Sequence, residues 1–174
     1  MSSEAEKKKI LKARAVALAK QPEEKNSYKE HIEIVEFVLS HEKYGIESSY
    51  VREVYPLKEL TPVPCTPAFV LGIINVRGRI ISVIDIKKFF ELPEKGITDL
   101  NRVIIVHNYA MEFGILADAI LGIRSIPLHE LQTSLPTLTD IRAEYLKGVS
   151  KEHIVVLDVD KILSDRKIAV HEEV

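Results

Sequence analysis

The sequence predicts a mainly β protein made of two related halves. Ile, Val and Leu supply 55 of its 174 residues, Trp is absent, and branched aliphatic residues, above all Val and Ile, favour strands. Short apolar runs bounded by turn residues recur from residue 32 onward, and similar runs return at nearly constant offsets. Eight short strands of this kind indicate barrels or a sandwich. They are predicted over residues 32–39, 44–47, 73–76, 79–86, 102–107, 113–117, 145–149 and 154–159.

The first thirty residues differ in charge from the rest. They hold eight Lys or Arg and five Asp or Glu, against sixteen and twenty-one in residues 31–174. Apolar residues recur there at helical spacing up to Pro22, which predicts a short amphipathic helix over residues 4–21. This N-terminal helical extension, residues 1–30, either packs on the protein's own core or contacts a partner.

Other helices are predicted to be few and short. Residues 66–72 carry a Thr N-cap, a Pro at the first helical position and a Gly just past the end, which predicts a helix of one or two turns. A short helical segment is also predicted over residues 49–54. Asp85 and Asp158 each follow an apolar run and are predicted to cap the helices after them. Residues 133–140 lack any period, which is typical of a surface connection or a binding loop.

The internal repeat predicts how the chain is divided. Gly45 and Gly114, with their apolar neighbours, match at an offset of 69, and Asp85 and Asp158 match at an offset of 73. A boundary is therefore predicted near residues 92–96. A half of this size has difficulty burying enough apolar surface alone, so the two halves are expected to share a core. The predicted units are an extension at 1–30, a domain at 31–165 with halves of about 31–93 and 97–165, and a tail at 166–174.

Signals for catalysis, cofactors and metals are absent from the sequence. It contains none of the Gly-rich phosphate-binding motifs and no nucleophile elbow. Its six histidines lie at least ten residues apart, so no two can chelate a metal from one strand or helix face. The lone Cys65 excludes an internal disulfide, and Asp158 and Asp160 lack the Gly and Glu of a calcium loop. No enzyme activity, cofactor or metal site is predicted.

Composition also limits the partners and the location. A net charge of -2 argues against an extended nucleic-acid footprint. The first thirty residues lack the apolar region of a signal peptide, and the longest nearly apolar stretch, residues 68–76, is too short to cross a bilayer. The protein is therefore expected to be cytoplasmic, to bind other proteins or small molecules, and not to insert into a membrane.

The most unusual stretch is a predicted hairpin around Asn75-Val76-Arg77-Gly78. Gly78 supplies the turn conformation, and Arg77 is held on a rigid support between two apolar strands. An Arg fixed in this way recognises carboxylates well, because its planar guanidinium pairs with both oxygens. Glu53 is a plausible carboxylate neighbour. The alternative is an Arg simply exposed at a hairpin tip.

These residues closely resemble the CheW family of bacterial chemotaxis coupling proteins. The resemblance covers about residues 32–165, and the Asn-x-Arg-Gly hairpin in this order is specific to it. The motifs that carry it are Tyr44-Gly45-Ile46-Glu47, Val51-Arg52-Glu53-Val54, Thr66-Pro67-Ala68-Phe69, residues 72–78, Val83-Ile84-Asp85, Phe113-Gly114-Ile115 with Asp118, and residues 144–148.

The resemblance implies two SH3-like five-stranded β-barrel subdomains that share a hydrophobic core, with short helices and no catalysis. Members of the family join the cytoplasmic tips of methyl-accepting chemoreceptors to the regulatory domain of the histidine kinase CheA, and so work beside membrane-anchored receptor arrays. No kinase-facing residue is assigned. Carried over position by position, the receptor-binding groove would comprise Val51, Glu53, Gly72, Asn75, Arg77, Val103 and Ile123.

Three other functions remain open at this point. A chain of this family could serve a chemosensory pathway that controls an output other than motility. A nucleic-acid-binding barrel pair would use Arg77, Arg79, Lys87 and Lys88, although few aromatic residues are present for base stacking. A small hydrolase would need Cys65 or the Asp158 and Asp160 pair.

Overall fold

The computed structural model describes residues 6–8, 30–94, 96–133, 141–165 and 168. From residue 30 onward the described chain is mostly strand. The strands are β1 His31–Leu39, β2 Glu42–Glu47, β3 Val51–Pro56, β4 Val70–Val76, β5 Arg79–Ile84, β6 Arg102–His107, β7 Glu112–Ala117, β8 Ala119–Pro127, β9 Leu146–Val149 and β10 Val155–Leu157. The helices are α1 Ile86–Phe89 and α2 Val159–Ser164, with 3₁₀ helices at Ser48–Tyr50, Leu128–Glu130 and Ile141–Tyr145. Within the described residues, no helix has the length and apolarity that crossing a bilayer requires.

The ten strands form two five-stranded sheets. The first has the order β8-β1-β2-β10-β9, and the second has the order β3-β6-β7-β5-β4. In each sheet one pair of neighbours is parallel, β2 with β10 and β5 with β7, and the other pairs are antiparallel. The prediction of a mainly β protein with two five-stranded units and few short helices is confirmed.

The duplication extends to the pairing register. Glu36 pairs with Gly45 in the first sheet, and Ile105 pairs with Gly114 in the second, 69 residues later. The two strand orders become identical when β1 to β5 are exchanged with β6 to β10. Each sheet therefore takes two strands from one half of the chain and three from the other. The division between the sheets does not follow the boundary predicted near residues 92–96.

Two equivalent glycines explain why this repeat is visible in the sequence. A Cβ atom on Gly45 would lie 2.4 Å from Ile34 Cδ1, and one on Gly114 would lie 2.4 Å from Val103 Cγ1. Ile34 and Val103 are themselves separated by 69 residues, so both sheets solve the same packing problem with the same residue type. Each glycine lets a large aliphatic side chain of the neighbouring region fill the interior.

The buried residues form one shared core and two smaller ones. The shared core joins both sheets, because it contains Phe37 and Tyr44 of the first and Ile104 and Phe113 of the second. The opposite face of the second sheet has its own cluster around Val83, and that of the first sheet has one too. Each aliphatic side chain buried in these clusters contributes about 1.5–3 kcal/mol relative to exposure.

Three secondary-structure predictions were wrong or incomplete. Residues 49–54 end a 3₁₀ turn and then form β3, an edge strand whose pairing with β6 overrides the local helical signal. Strand β8 was not predicted. Residues 66–72 form turns and the start of β4 rather than a helix; the hydroxyl of Thr66 donates to the carbonyl of Val63 instead of capping a helix.

Both predicted aspartate caps are confirmed. The Asp85 carboxylate accepts a hydrogen bond from the backbone N–H of Lys87 at 3.0 Å at the start of α1. The Asp158 carboxylate accepts from the backbone N–H of Lys161 at 3.2 Å at the start of α2. A side-chain acceptor at this position satisfies one of the free N–H groups of the first turn.

Some predicted segments lie wholly or mostly outside the described residues. Of the helix predicted over residues 4–21, only residues 6–8 are described, and these are helical. The loop at 133–140 lies outside them except for its first residue. Ile168, the one described residue of the tail predicted at 166–174, is buried against the shared core. Closed SH3-like barrels are not confirmed, because the hydrogen-bonded order of each sheet is open.

Candidate docking surface

Arg77 lies at the tip of the hairpin between β4 and β5. Arg77 and Gly78 form the two-residue loop, with φ angles of 53° and 84°. Positive φ at both positions is the signature of the turns that join tightly twisted hairpin strands. The backbone N–H of Gly78 donates to Asn75 Oδ1 at 2.9 Å, which fixes the turn from the preceding strand. Asn75 and Gly78 therefore hold Arg77 in one backbone position.

Arg77 forms an ion pair with Glu53 across the edges of the second sheet. Arg77 Nη2 lies 3.2 Å from Glu53 Oε2, although β3 and β4 are the two opposite edge strands of that sheet. The Arg77 side chain is 79% exposed and that of Glu53 is 19% exposed. An ion pair so open to water contributes at most about 1 kcal/mol to stability. Its main effect is to orient a guanidinium group that remains accessible.

Two further arginines share a second glutamate beside this pair. Arg79 Nη1 donates to both carboxylate oxygens of Glu112 at 2.9 Å, and Arg52 Nε lies 3.5 Å from Glu112 Oε1. Arg52 adjoins Glu53 in β3, and Arg79 follows the hairpin turn. We call these five residues, Arg52, Glu53, Arg77, Arg79 and Glu112, the hairpin surface. It carries one net positive charge on groups held by mutual contacts.

Exposed apolar side chains border the hairpin surface. Ile80 lies on β5 opposite Asn75 and is mostly exposed, and Val54 follows Glu53 on β3 and is partly exposed. A fixed pattern of charge bordered by apolar side chains is suited to recognising another protein.

The structure separates the seven predicted groove residues into three groups. Glu53, Asn75 and Arg77 lie together on or beside the hairpin surface. Val51 is half-buried against the shared core. Ile123 lies on β8 in the first sheet, where it pairs with Val35 and is 71% exposed.

The remaining two predicted residues are inside the protein. Val103 is fully buried in the cluster of the second sheet, so it supports β3 from below rather than contacting a partner. Gly72 is also buried, and a Cβ atom there would lie 2.2 Å from the Thr61 carbonyl oxygen. That close approach allows Thr61 and Ile73 to exchange two backbone hydrogen bonds of 2.9 and 2.8 Å beside β4. Gly72 shapes the edge that carries the hairpin.

Sequence reasoning missed three members of the hairpin surface. Arg79 follows the predicted turn by one residue and could have been included from the hairpin alone. Arg52 was hidden because its segment was predicted to be helical. Glu112 joins the surface only through the parallel pairing of β5 with β7, which no local pattern reveals.

A buried ion pair links the two halves of the chain away from this surface. Lys87 Nζ lies 2.6 Å from Asp118 Oδ1, and Asp118 Oδ2 accepts the backbone N–H of Ser40 at 2.7 Å. The Lys87 side chain is 1% exposed. Lys87 is therefore unavailable to a phosphate backbone, which weakens the nucleic-acid alternative. Burial raises the pKa of the neighbouring Asp85, and the charge of Lys87 opposes that rise.

A second link between the halves is formed by Tyr50 and Asp160. The Tyr50 hydroxyl donates a hydrogen bond to the Asp160 carboxylate. This bond, followed by burial and the negative charges of Asp160, Glu47 and Asp158, raises the pKa of Tyr50 to about 12. Among the described residues, no group of three or more His, Cys, Asp or Glu side chains could hold a metal ion.

Comparisons with known proteins agree on one family. A model of the CheW-like domain matches residues 33–167. The chain is 32% identical over 146 residues to Chemotaxis protein CheW of Treponema pallidum (strain Nichols), which covers 80% of this chain and 86% of that protein. It is also 32% identical over 126 residues to Protein FrzA of Myxococcus xanthus, which covers 70% of this chain and 78% of that protein.

The fold agrees with a solved structure as well. It is similar to the crystal structure of scaffolding protein TtCheW from Thermoanaerobacter tengcongensis, with a TM-score of 0.67 and 34% identity, covering 72% of this chain and 83% of that one. The family match includes every strand of both sheets and the hairpin surface. The chain belongs to the CheW-like domain family.

Proposed function

We propose that this protein is a non-enzymatic adaptor that couples methyl-accepting chemoreceptors to the histidine kinase CheA in chemotaxis-type signal transduction. One observation carries the proposal on the receptor side. Arg77 is fixed by a tight turn and oriented by Glu53, yet its guanidinium remains open to solvent. Membership of the CheW-like domain family supplies the partners.

The receptor tip is proposed to bind as a helical hairpin in a groove. Apolar receptor side chains pack against Val51, Val54 and Ile80, and Arg77 with Glu53 sets the register. Charges in such an interface contribute more to specificity than to affinity. An isolated contact of standard size is expected to bind at about micromolar Kd, near -8 kcal/mol, and receptor arrays strengthen it through multivalency.

The predicted groove residues take different parts in this proposal. Glu53, Asn75 and Arg77 meet the receptor, whereas Gly72 and Val103 shape the strands that carry them. Ile123 extends the surface to the first sheet. Each sheet is proposed to wrap its own core as an SH3-like barrel, which leaves the groove between the two barrels. The regulatory domain of CheA is proposed to pair with this chain barrel to barrel, in the cytoplasm beside the receptor arrays.

A matched pair of substitutions tests the receptor side. Lys151 is the control for Arg77, because it is an exposed cation paired with Glu130 in the β9–β10 connection, the repeat equivalent of the β4–β5 hairpin. In a reconstituted receptor–kinase assay, Arg77→Ala is expected to weaken receptor-stimulated phosphorylation by about tenfold, equivalent to about 1.4 kcal/mol of contact energy. Lys151→Ala is expected to change it less than about twofold, as for most exposed ion pairs. Equal effects of the two substitutions would overturn the assignment.

A further inference from the structure

The edge strand β8 presents an apolar face that its repeat equivalent does not. Leu121 and Ile123 are 49% and 71% exposed. The equivalent positions on β3, 69 residues earlier, are Arg52, which is ion-paired to Glu112, and the less exposed Val54. The two edge strands therefore differ in their outward chemistry despite their identical pairing, and the β8 face lacks the charged cover that β3 has.

The N-terminal extension leaves the fold beside this face. His31, the first residue of β1, pairs with Pro127, the last residue of β8. The backbone N–H of Leu128 donates to the carbonyl of Glu30 at 2.6 Å. Residues 1–29 therefore join the sheet at the end of the strand that carries the exposed apolar side chains.

The connection is long enough to bring the predicted helix onto β8. The eight residues 22–29 can span up to about 26 Å when extended. Ile123 lies four positions along β8 from Pro127, a distance of about 14 Å. The apolar stripe of the predicted helix, which runs from Ile10 to Ala19, is also about 14 Å long. Reach and length are thus compatible with docking within the chain.

Charge favours the same arrangement. Residues 1–30 carry a net positive charge and residues 31–174 a net negative one. Glu33 lies two positions from Val35 on β1, so it shares a face with Ile123, the partner of Val35, and it is exposed there. The basic residues that flank the apolar stripe have this carboxylate within the same surface.

We propose that the amphipathic N-terminal segment, residues 4–21, docks within its own chain on the outward face of β8 and covers Leu121 and Ile123. The described structure shows this face open, so the segment alternates between a docked and a released state. Docking needs no receptor or kinase, and in this respect it goes beyond the adaptor function.

Docking would also regulate the adaptor, and this part rests on the proposed function. Ile123 belongs to the proposed receptor groove, so the docked segment competes with the receptor. The apparent affinity of a surface falls by the fraction of time for which it is free. If the segment covers β8 for 70 to 90% of the time, as a working estimate, receptor binding is weakened by roughly threefold to tenfold.

Disulfide trapping in the full chain tests the docked state directly. In a Cys65→Ser background, Leu11→Cys is combined with Ile123→Cys, or with Ile80→Cys as an equally exposed control on the second sheet. The Ile123→Cys combination is expected to form an intrachain disulfide about tenfold faster under mild oxidation, independent of protein concentration. Equal rates in the two combinations, no bond, or bonds only between chains would overturn the proposal, the last outcome indicating a second copy as the occupant.

A second variant separates docking from receptor binding. Leu11→Asp with Leu18→Asp, again in the full chain, is expected to speed amide hydrogen exchange in β8 without changing β3. It is also expected to tighten receptor binding by about threefold to tenfold. Unchanged exchange in β8 would contradict docking. Faster exchange in β8 with unchanged receptor binding would uphold docking and contradict only the shared receptor surface.

Discussion

Lys87 and Asp118 form a buried ion pair, with 2.6 Å between Lys87 Nζ and Asp118 Oδ1, that joins the two halves of the chain. Lys87 lies in α1, which follows β5, and Asp118 lies between β7 and β8. The parallel pairing of β5 with β7 brings them together. Because Asp118 also accepts the backbone N–H of Ser40, one carboxylate ties together three separate parts of the chain.

Breaking this pair from one side is expected to destabilise the protein strongly. Lys87→Met keeps the volume but leaves the Asp118 carboxylate without its cation, which is expected to cost about 3 kcal/mol. Urea denaturation measures the loss. Lys88→Met, at the exposed neighbouring position, is the control and is expected to cost less than about 0.5 kcal/mol. Lys87→Met with Asp118→Asn should recover most of the loss; a double variant no more stable than Lys87→Met would refute this explanation.

Asp85 is expected to make stability depend on acid pH in an unusual direction. Burial raises its pKa above the ordinary value of 3.8, so folding favours the protonated form. The favourable contribution is therefore present below pH 3.8 and is lost as pH rises through the folded-state pKa. Asp85→Asn keeps an acceptor for the cap and has no charge to desolvate. Its stability relative to the natural protein should rise with pH across this range, as measured by denaturation at several pH values.

Asp85→Ala serves as the control for the cap itself. It removes the acceptor for the Lys87 N–H and is expected to cost about 1 kcal/mol. If Asp85→Asn and Asp85→Ala destabilise equally at neutral pH, the side chain does not act as a cap.

Tyr50 is expected to ionise later than an exposed tyrosine. Its hydrogen bond to Asp160 raises its pKa to about 12, from an ordinary value of 10.0. NMR titration of ring-labelled tyrosine should show this late transition, and Asp160→Asn should move it toward 10. Tyr109, which is fully exposed, is the internal reference. A Tyr50 transition that does not respond to Asp160→Asn would contradict the assigned cause.

Glycine substitutions should separate supporting from contacting positions. Gly72→Ala places a Cβ atom 2.2 Å from the Thr61 carbonyl oxygen at a φ of 151°, and rigid backbone cannot move away cheaply. It is expected to cost more than about 3 kcal/mol, the upper range for overpacking. Gly78→Ala meets nothing within 4 Å and carries only the strain of its φ of 84°, about 1 kcal/mol. Thermal unfolding of both variants measures the order, and a reversed order would contradict the supporting role of Gly72.

The parts of the fold that the sequence predicts are those governed by local pattern. Strand β6 matches its predicted span, 102–107, because its four central residues are all buried and apolar. Strands β3 and β8 escaped because they are edge strands, in which charged and apolar residues alternate with partial burial. Their strand conformation comes from pairing with β6 and β1, which a local pattern does not contain.

The same distinction holds for the candidate site. Arg77 and its turn could be predicted, because Asn75 and Gly78 carry the turn chemistry within four residues. Glu53 could be proposed as its partner but not placed, since the contact spans opposite edges of a sheet. The shared use of Glu112 by Arg52 and Arg79 depends on the parallel crossover pairing, and no spacing in the sequence encodes it.

The central claim is that Arg77 contacts the receptor and does not merely brace Glu53, and a charge swap tests it most directly. Arg77→Glu combined with Glu53→Arg rebuilds the ion pair in reverse, so stability should match the natural protein within about 0.5 kcal/mol. Receptor-stimulated phosphorylation by CheA is then measured with each single variant and with the double variant. The account predicts that the double variant remains as defective as Arg77→Glu alone. Recovery of natural stimulation in the double variant would contradict it.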